Sequence, residues 1–151
     1  MFKNAFLFLI VILITACSKK NETVVESIKP STLSVKVGSV SKEASEVITT
    51  MNPYDGLNIK AKIGDKEFIF LGVRNPKVGS YTGSYISNPA IFAHSVGDNL
   101  FTDFHSGQFG TLSIISIGKD RVTGTFEFDY RIHLEKIAVL EGKFDAAITY
   151  E

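Results

Sequence analysis

The sequence predicts an all-β fold, a single antiparallel β-sandwich or partly closed β-barrel of about eight to ten strands. Three observations predict it. Apolar and polar residues alternate with a period of two over most of the chain from Leu33 onward. Gly, Asn, Asp and Pro interrupt that alternation at short, even intervals, as turns between strands do. A sustained 3.6-residue apolar period is absent from the same region.

The elements follow in order. Leu33-Ser-Val35-Lys-Val37 alternates, as does Leu57-Asn-Ile59-Lys-Ala61-Lys-Ile63. Gly64-Asp65 makes a tight reversal into Glu67–Val73, apolar on both faces and therefore read as a central strand that Asn75-Pro76 ends. Val78–Ile86 places Tyr81 and Tyr85 on one face, with Gly83 between them leaving room for the rings over the backbone. Strands are expected over Ala90–Val96, Leu100–His105 and Thr111–Ile117. Val122, Gly124, Phe126, Phe128 and Tyr130 then alternate with polar residues, and after a reversal near Glu135-Lys136 so do Ala138, Leu140, Gly142, Phe144, Ala146, Ile148 and Tyr150. Gly142 inside that last strand suggests a bulge. Ser41–Met51 is the one helix candidate, with Ser41 as its N-cap, although the β-branched Val47-Ile48-Thr49-Thr50 favours strand.

Composition narrows the function. The 151 residues hold 16 basic and 16 acidic side chains, so no basic excess favours nucleic acid. One Cys excludes an internal disulfide framework and a Cys-rich metal cluster. The length suits one domain.

The amino terminus reads as an address. Lys3 precedes an unbroken apolar run from Ala5 to Ile14, too short to span a bilayer. Ile14-Thr15-Ala16-Cys17 resembles the lipobox of bacterial lipoproteins. The resemblance implies cleavage between Ala16 and Cys17, a diacylglycerol on the Cys17 thiol and an acyl chain such as palmitate on its new amino group. Several chains together anchor stably where one does not. The organisation is then signal peptide 1–16, lipidated Cys and polar tether 17–32, and β-domain 33–151. Ser18, rather than Asp, follows Cys17, which in the sorting pattern this resembles favours the outer membrane.

Gly110-Thr-Leu-Ser-Ile114, Arg121-Val-Thr-Gly-Thr-Phe-Glu-Phe128 and Val139-Leu-Glu-Gly-Lys-Phe-Asp145, with Val78-Gly-Ser-Tyr81 upstream, resemble a family of small bacterial lipoproteins. That family carries a GTLxI…VxGTFxF…GxFD ending. The likeness implies a lipid-anchored all-β domain and brings no catalytic residue or cofactor with it.

The sequence holds none of the common catalytic motifs. There is no G-x-S-x-G elbow, and Gly118-Lys119 and Gly142-Lys143 lack the rest of a phosphate loop. Asp103, His105 and Ser106 are neighbours on one strand and cannot converge as a triad. A metal site from His94, Asp103 and His105 depends on the hairpin register. A two-residue turn at Gly97-Asp98 sets His94 opposite Phe101 and about 13 Å from His105, and a three-residue turn sends His94 to the other face. Neither suits a metal with ligands at about 2 Å. His94 is read as a core or rim histidine, and His133 as solvated.

Tyr81, Tyr85, Phe101, Asp103 and His105 are the weak ligand-surface candidates, though cross-strand packing accounts for the tyrosines, and core positions are expected for Phe101, Phe104 and Phe109. The expected function is a non-catalytic binding module of the cell envelope, held to the membrane by its lipid, whose partner is an envelope protein, a glycan or a small hydrophobic ligand. An accessory subunit of an outer-membrane assembly is the alternative, and a hydrolase the reading with least support. No nucleic acid, metal or cofactor is expected.

Overall fold

The computed structural model describes residues 29–83, 90–97, 104–132 and 135–151. Among them there is no helix: eleven strands form two packed sheets without closing into a barrel. The larger sheet holds β1 (Thr32–Val37), β2 (Val40–Glu43), β6 (Gly79–Gly83), β9 (Arg121–Ile132), β10 (Glu135–Ala147) and most of β8 (Phe104–Ile117), in the order β2-β1-β10-β9-β8-β6. The second sheet runs β11 (Thr149–Tyr150), β3 (Glu46–Asn52), β4 (Gly56–Gly64), β5 (Glu67–Val73) and β7 (Ala90–Val96), which meets the first residues of β8. All pairings are antiparallel except the short β11–β3 ladder, which is parallel.

The helix candidate Ser41–Met51 is two strands, β2 and β3. Between them the chain steps from one sheet to the other: the Ala44 N–H donates to the Leu33 carbonyl and the Ser45 N–H to the Lys62 carbonyl, each at 2.8 Å. Glu46–Asn52 is β-branched at its centre, and a strand that buries Thr49 while exposing Ile48 suits it better than a helix would. The Asn52 side chain then turns the chain by accepting the Tyr54 N–H at 3.0 Å, ahead of Gly56 at φ +80°.

The core is the inward face of both sheets. Leu33, Val35, Leu112, Ile114, Val122, Phe126, Phe128, Leu140 and Phe144 come from the larger sheet; Leu57, Ile59, Ala61, Ile69, Leu71, Val73 and Phe92 come from the smaller one. Phe92 and Phe128 stack across the two layers with ring centroids 5.4 Å apart.

Gly142 is not at a bulge. The β9–β10 register runs unbroken from Ala138 to Ala147, pairing Gly142 with Phe126 and Gly124 with Phe144. Each ring lies over the glycine of the other strand. A Cβ at Gly142 would stand 2.5 Å from Phe126 Cζ, and one at Gly124 would strike the Phe144 ring. Gly83 is also corrected: the backbone of Ala90, not a tyrosine ring, occupies the space its missing side chain leaves. The real bulges of the larger sheet lie between Lys136 and Ala138, Gly107 and Gly110, and Ile114 and Ser116.

Gly142→Ala is expected to destabilise the domain by about 1–3 kcal/mol through overpacking. Gly118→Ala, with its nearest neighbour at 3.7 Å, serves as the control and should be near neutral. Urea denaturation checks both, and equal midpoints for the two variants would contradict the packing described.

Candidate functional site

The outer face of the larger sheet is built by alternation. With Val35, Phe126, Leu112 and Phe144 turned inward, the residues between them turn to solvent, and the registers line them up in rows across six strands. One row reads Glu43, Ser34, Lys143, Thr125, Ser113, Ser80. The next reads Ser41, Lys36, Glu141, Glu127, Thr111, Thr82. All of these residues except Ser80 and Thr82 line a trough of about 630 Å³. A second hollow of about 580 Å³ shares Thr111 and Glu127 with it and adds Phe109 and Asp129, so the two are continuous.

The two rows mix seven hydroxyl side chains with five charged ones, and Ser80 Oγ lies 2.8 Å from Ser113 Oγ; outside the rows, Ser116 Oγ bonds to Thr123 Oγ1 at 2.7 Å. Lys36 Nζ meets Glu141 Oε1 at 2.9 Å with both side chains half exposed, a geometry worth little in stability. Glu127 and Glu141 are direct cross-strand neighbours.

Two bulges of β8 deliver apolar side chains to this wet face. The register shift between Gly107 and Gly110 leaves Phe109 65% exposed beside Thr82, Thr111, Glu127 and Asp129. Gly110 permits it, since a Cβ there would press on Phe128 Cβ at 2.5 Å and the Glu127 carbonyl at 2.6 Å. The shift between Ile114 and Ser116 sets both Ile115 and Ser116 opposite Thr123, and Ile115 is 61% exposed. Phe109 is therefore a surface aromatic rather than the core residue its apolar character suggests.

The other candidates fare differently. Tyr81 is half-buried against the core, and its hydroxyl accepts the Lys77 N–H at 2.6 Å while donating to the Lys77 carbonyl at 2.9 Å. It staples the β5–β6 connection. Tyr85, Phe101 and Asp103 lie outside the described residues, as do Ala16 and Cys17. Both expected hairpin registers are overturned. Ser95 pairs with Phe104 and His94 with His105, so the β7–β8 connection is longer than a two- or three-residue turn and the two histidines are direct partners in the ladder. Among the described residues no group of three or more His, Cys, Asp or Glu side chains is placed to hold a metal ion.

His94 is 3% exposed, and its Nε2–H donates to Glu67 Oε1 at 2.9 Å. The other carboxylate oxygen of Glu67 takes Lys42, which points inward from the edge strand β2. The chain Lys42–Glu67–His94 thus ties the edge of the larger sheet to the smaller one. Burial pushes the Glu67 carboxyl up, but the hydrogen bonds and charges of Lys42 and His94 outweigh it and hold it below the ordinary glutamate range.

Comparison of the chain with protein-family models, with curated proteins and with solved structures finds no match in any of the three.

Because the Glu67 pKa is depressed in the native state, its contribution is complete above the unfolded value near 4.3 and is lost as pH falls through the lower native one. Glu67→Gln should cost about 1.5–3 kcal/mol at pH 7. It should also flatten part of the acid-side fall in stability, as read by urea midpoints between pH 3 and pH 7. Tyr81→Phe should cost about 1 kcal/mol by removing the Lys77 staple. A loss of more than twice that would show that the hydroxyl does more than hold this connection.

Proposed function

We propose that this chain is a lipid-anchored domain of the bacterial cell envelope that acts as a non-catalytic binding module. The trough on the outer face of the larger sheet, lined by hydroxyl and charged side chains alike, is the observation that carries the reading. It offers many weak polar contacts over an extended area and no enclosed cavity, which suits recognition of an extended partner.

The leader supports the anchor. The apolar run Ala5–Ile14, closed by Thr15-Ala16-Cys17, has the form that directs lipid to a cysteine, and Ser18 favours the outer membrane.

The far end of the tether is held. Lys29 Nζ meets Asp145 Oδ2 at 2.5 Å, and the Arg121 guanidinium binds the Lys29 carbonyl at 2.7 Å and the Pro30 carbonyl at 3.0 Å, with its Nε on Asp145. The Asp145 carboxyl is held below its ordinary range by these hydrogen bonds from Lys29 and Arg121. Twelve residues from Cys17 to Lys29 reach at most about 40 Å, so a lipid on Cys17 keeps the domain within roughly its own diameter of the bilayer.

Cells expressing the full chain with radiolabelled palmitate should yield labelled protein that sediments with outer membranes, and Cys17→Ser should lose both label and sedimentation. A labelled Cys17→Ser protein, or an unlabelled wild type, would overturn the anchor. Intact-cell crosslinking from position 125 in the trough should give a discrete product. Absence of any product from this position, with the protein at the membrane, would overturn the binding face.

A further inference from the structure

We infer that the end of the sandwich from which the tether leaves seats on the bilayer itself, with Tyr54 and Tyr150 lodged among the headgroups of zwitterionic phospholipid. The inference rests on the lipid-anchor reading and adds the orientation of the anchored domain.

Position comes first. The Ala147 N–H donates to Ser31 Oγ at 2.9 Å and Arg121 binds the Lys29 and Pro30 carbonyls, so the chain that runs back toward Cys17 departs beside the last residues of β10. Tyr150 stands three residues beyond Ala147, at most about 10 Å on. There β11 sets Tyr150 against Met51 of β3, and the Glu151 N–H donates to the Met51 carbonyl at 3.2 Å. The β3–β4 turn with Tyr54 and the β5–β6 connection with Arg74 and Pro76 meet Tyr150 around one hollow of about 450 Å³. A lipid on Cys17 therefore draws this end of the sandwich to the membrane. The turns at Gly38-Ser39 and Asp65-Lys66, beyond the opposite ends of their strands, are left at the far end.

Chemistry comes next. Tyr54 is 88% exposed and Tyr150 59%, with Met51, Pro53 and Pro76 beside them in the hollow. Tyrosine couples an apolar ring to a polar hydroxyl and is enriched at headgroup level for that reason. The two far turns carry no aromatic side chain. The contact is shallow, because Asp55 next to Tyr54 and Arg74 on the rim of the hollow are both exposed. One charge of each sign suits the phosphate and ammonium of a zwitterionic headgroup. Lys77 and Lys119 are matched in number by Asp120 and Glu151, all of them exposed, so an anionic lipid is not called for.

The rings are set in place before any lipid arrives. Asn52 Oδ1 accepts the N–H groups of both Tyr54 and Asp55, Asn75 takes a φ of +51° at the corner after β5, and Tyr81 closes the same connection on Lys77. Turns ordered in advance lose little freedom on meeting a surface. Seated this way, the strands rise from the bilayer and the trough opens to the side, clear of the lipid.

The test uses the full chain expressed in bacteria, purified with its lipid and reconstituted in phosphatidylcholine vesicles brominated on one acyl chain. The chain has no tryptophan, so Tyr54→Trp supplies a reporter at the seat, and Val40→Trp, an exposed site beside the far turn, its control. Both proteins should float with the vesicles. An interfacial group sits about 5–10 Å into the boundary between headgroups and acyl chains, so the Tyr54→Trp emission should shift to the blue and lose about half its intensity or more. The Val40→Trp emission should keep its intensity. In the unsubstituted protein, amide exchange should slow over 52–56 and 74–78 on the vesicles. Floating protein with Tyr54→Trp unquenched, or with both tryptophans quenched alike, overturns the seat and leaves the anchor standing. So does quenching without slowed exchange in the unsubstituted protein, since the new tryptophan would then have made the contact. Quenching that needs added phosphatidylglycerol overturns the zwitterionic surface. Protein that fails to float overturns the anchor, and the seat with it.

Discussion

Two phenylalanine rings lying over two glycines on neighbouring strands set the geometry on which the larger sheet depends. Phe126 covers Gly142 and Phe144 covers Gly124, each pair directly in register across β9 and β10. A slip of one residue would turn both rings to solvent and bring two side chains against backbone. The exchange therefore locks register at the centre of the two most extensively paired strands. The same contact lets the rings lie flat along the sheet, close enough for Phe126 and Phe128 to approach at 6.0 Å and for Phe128 to meet Phe92 of the other layer.

With β9 and β10 fixed, the rest hangs from them. β1 pairs with β10 and β8 with β9, and β8 then runs on into the smaller sheet through its first residues. The chain crosses between layers again at Ala44-Ser45 and at Ile148, where backbone hydrogen bonds continue on each side. The open flank is held by Lys42, Glu67 and His94. An inward lysine on an edge strand also discourages pairing with another chain, since that edge carries a part-buried charge already matched at home. One ion-paired carboxylate thus serves both cohesion and solubility.

Much of this was legible in the sequence, and the reasons for the misses are physical. Period-two patterning marked the inward residues of β1, β4, β9 and β10, because burial on one face of a sheet leaves a record at every second position. It also pointed to an all-β fold, with a sandwich and a partly closed barrel both open; the two packed sheets decide for the sandwich. Bulges leave no such record. A bulge adds one residue, and the pattern resumes in phase or out of phase with no residue type that names the place. For that reason Gly142 looked like a bulge and was a ring seat, while the real bulges at Gly107–Gly110 and Ile114–Ser116 passed unmarked, and with them the exposure of Phe109. The β7–β8 register failed for a related cause. Gly97-Asp98 is a strong turn signal, but turn residues also occur inside longer connections, and only the ladder itself brings His94 opposite His105. Tyr81 was rightly placed on a packed face, and its hydroxyl bonds to Lys77 had no sequence signature.

Local choices agree with the fold nearly everywhere in the core and disagree on one face. Most inward positions are apolar, in register and closely packed. On the outward face of the larger sheet the two bulges of β8 expose two apolar side chains, and two glutamates stand directly opposite one another, of which, among the described residues, only Glu141 meets a lysine. Like charges in direct cross-strand positions weaken a sheet, and bulges interrupt its ladder. A surface shaped by stability alone would place lysine against glutamate there and keep the strands regular. Sequences in which each level supports the next depart from that consistency where something other than folding constrains them. Here the departures share one face, and the locked register beneath holds them in fixed positions relative to one another. A rigid floor carries no ordering cost when a ligand arrives, so shallow contacts that are weak one by one can add along its length.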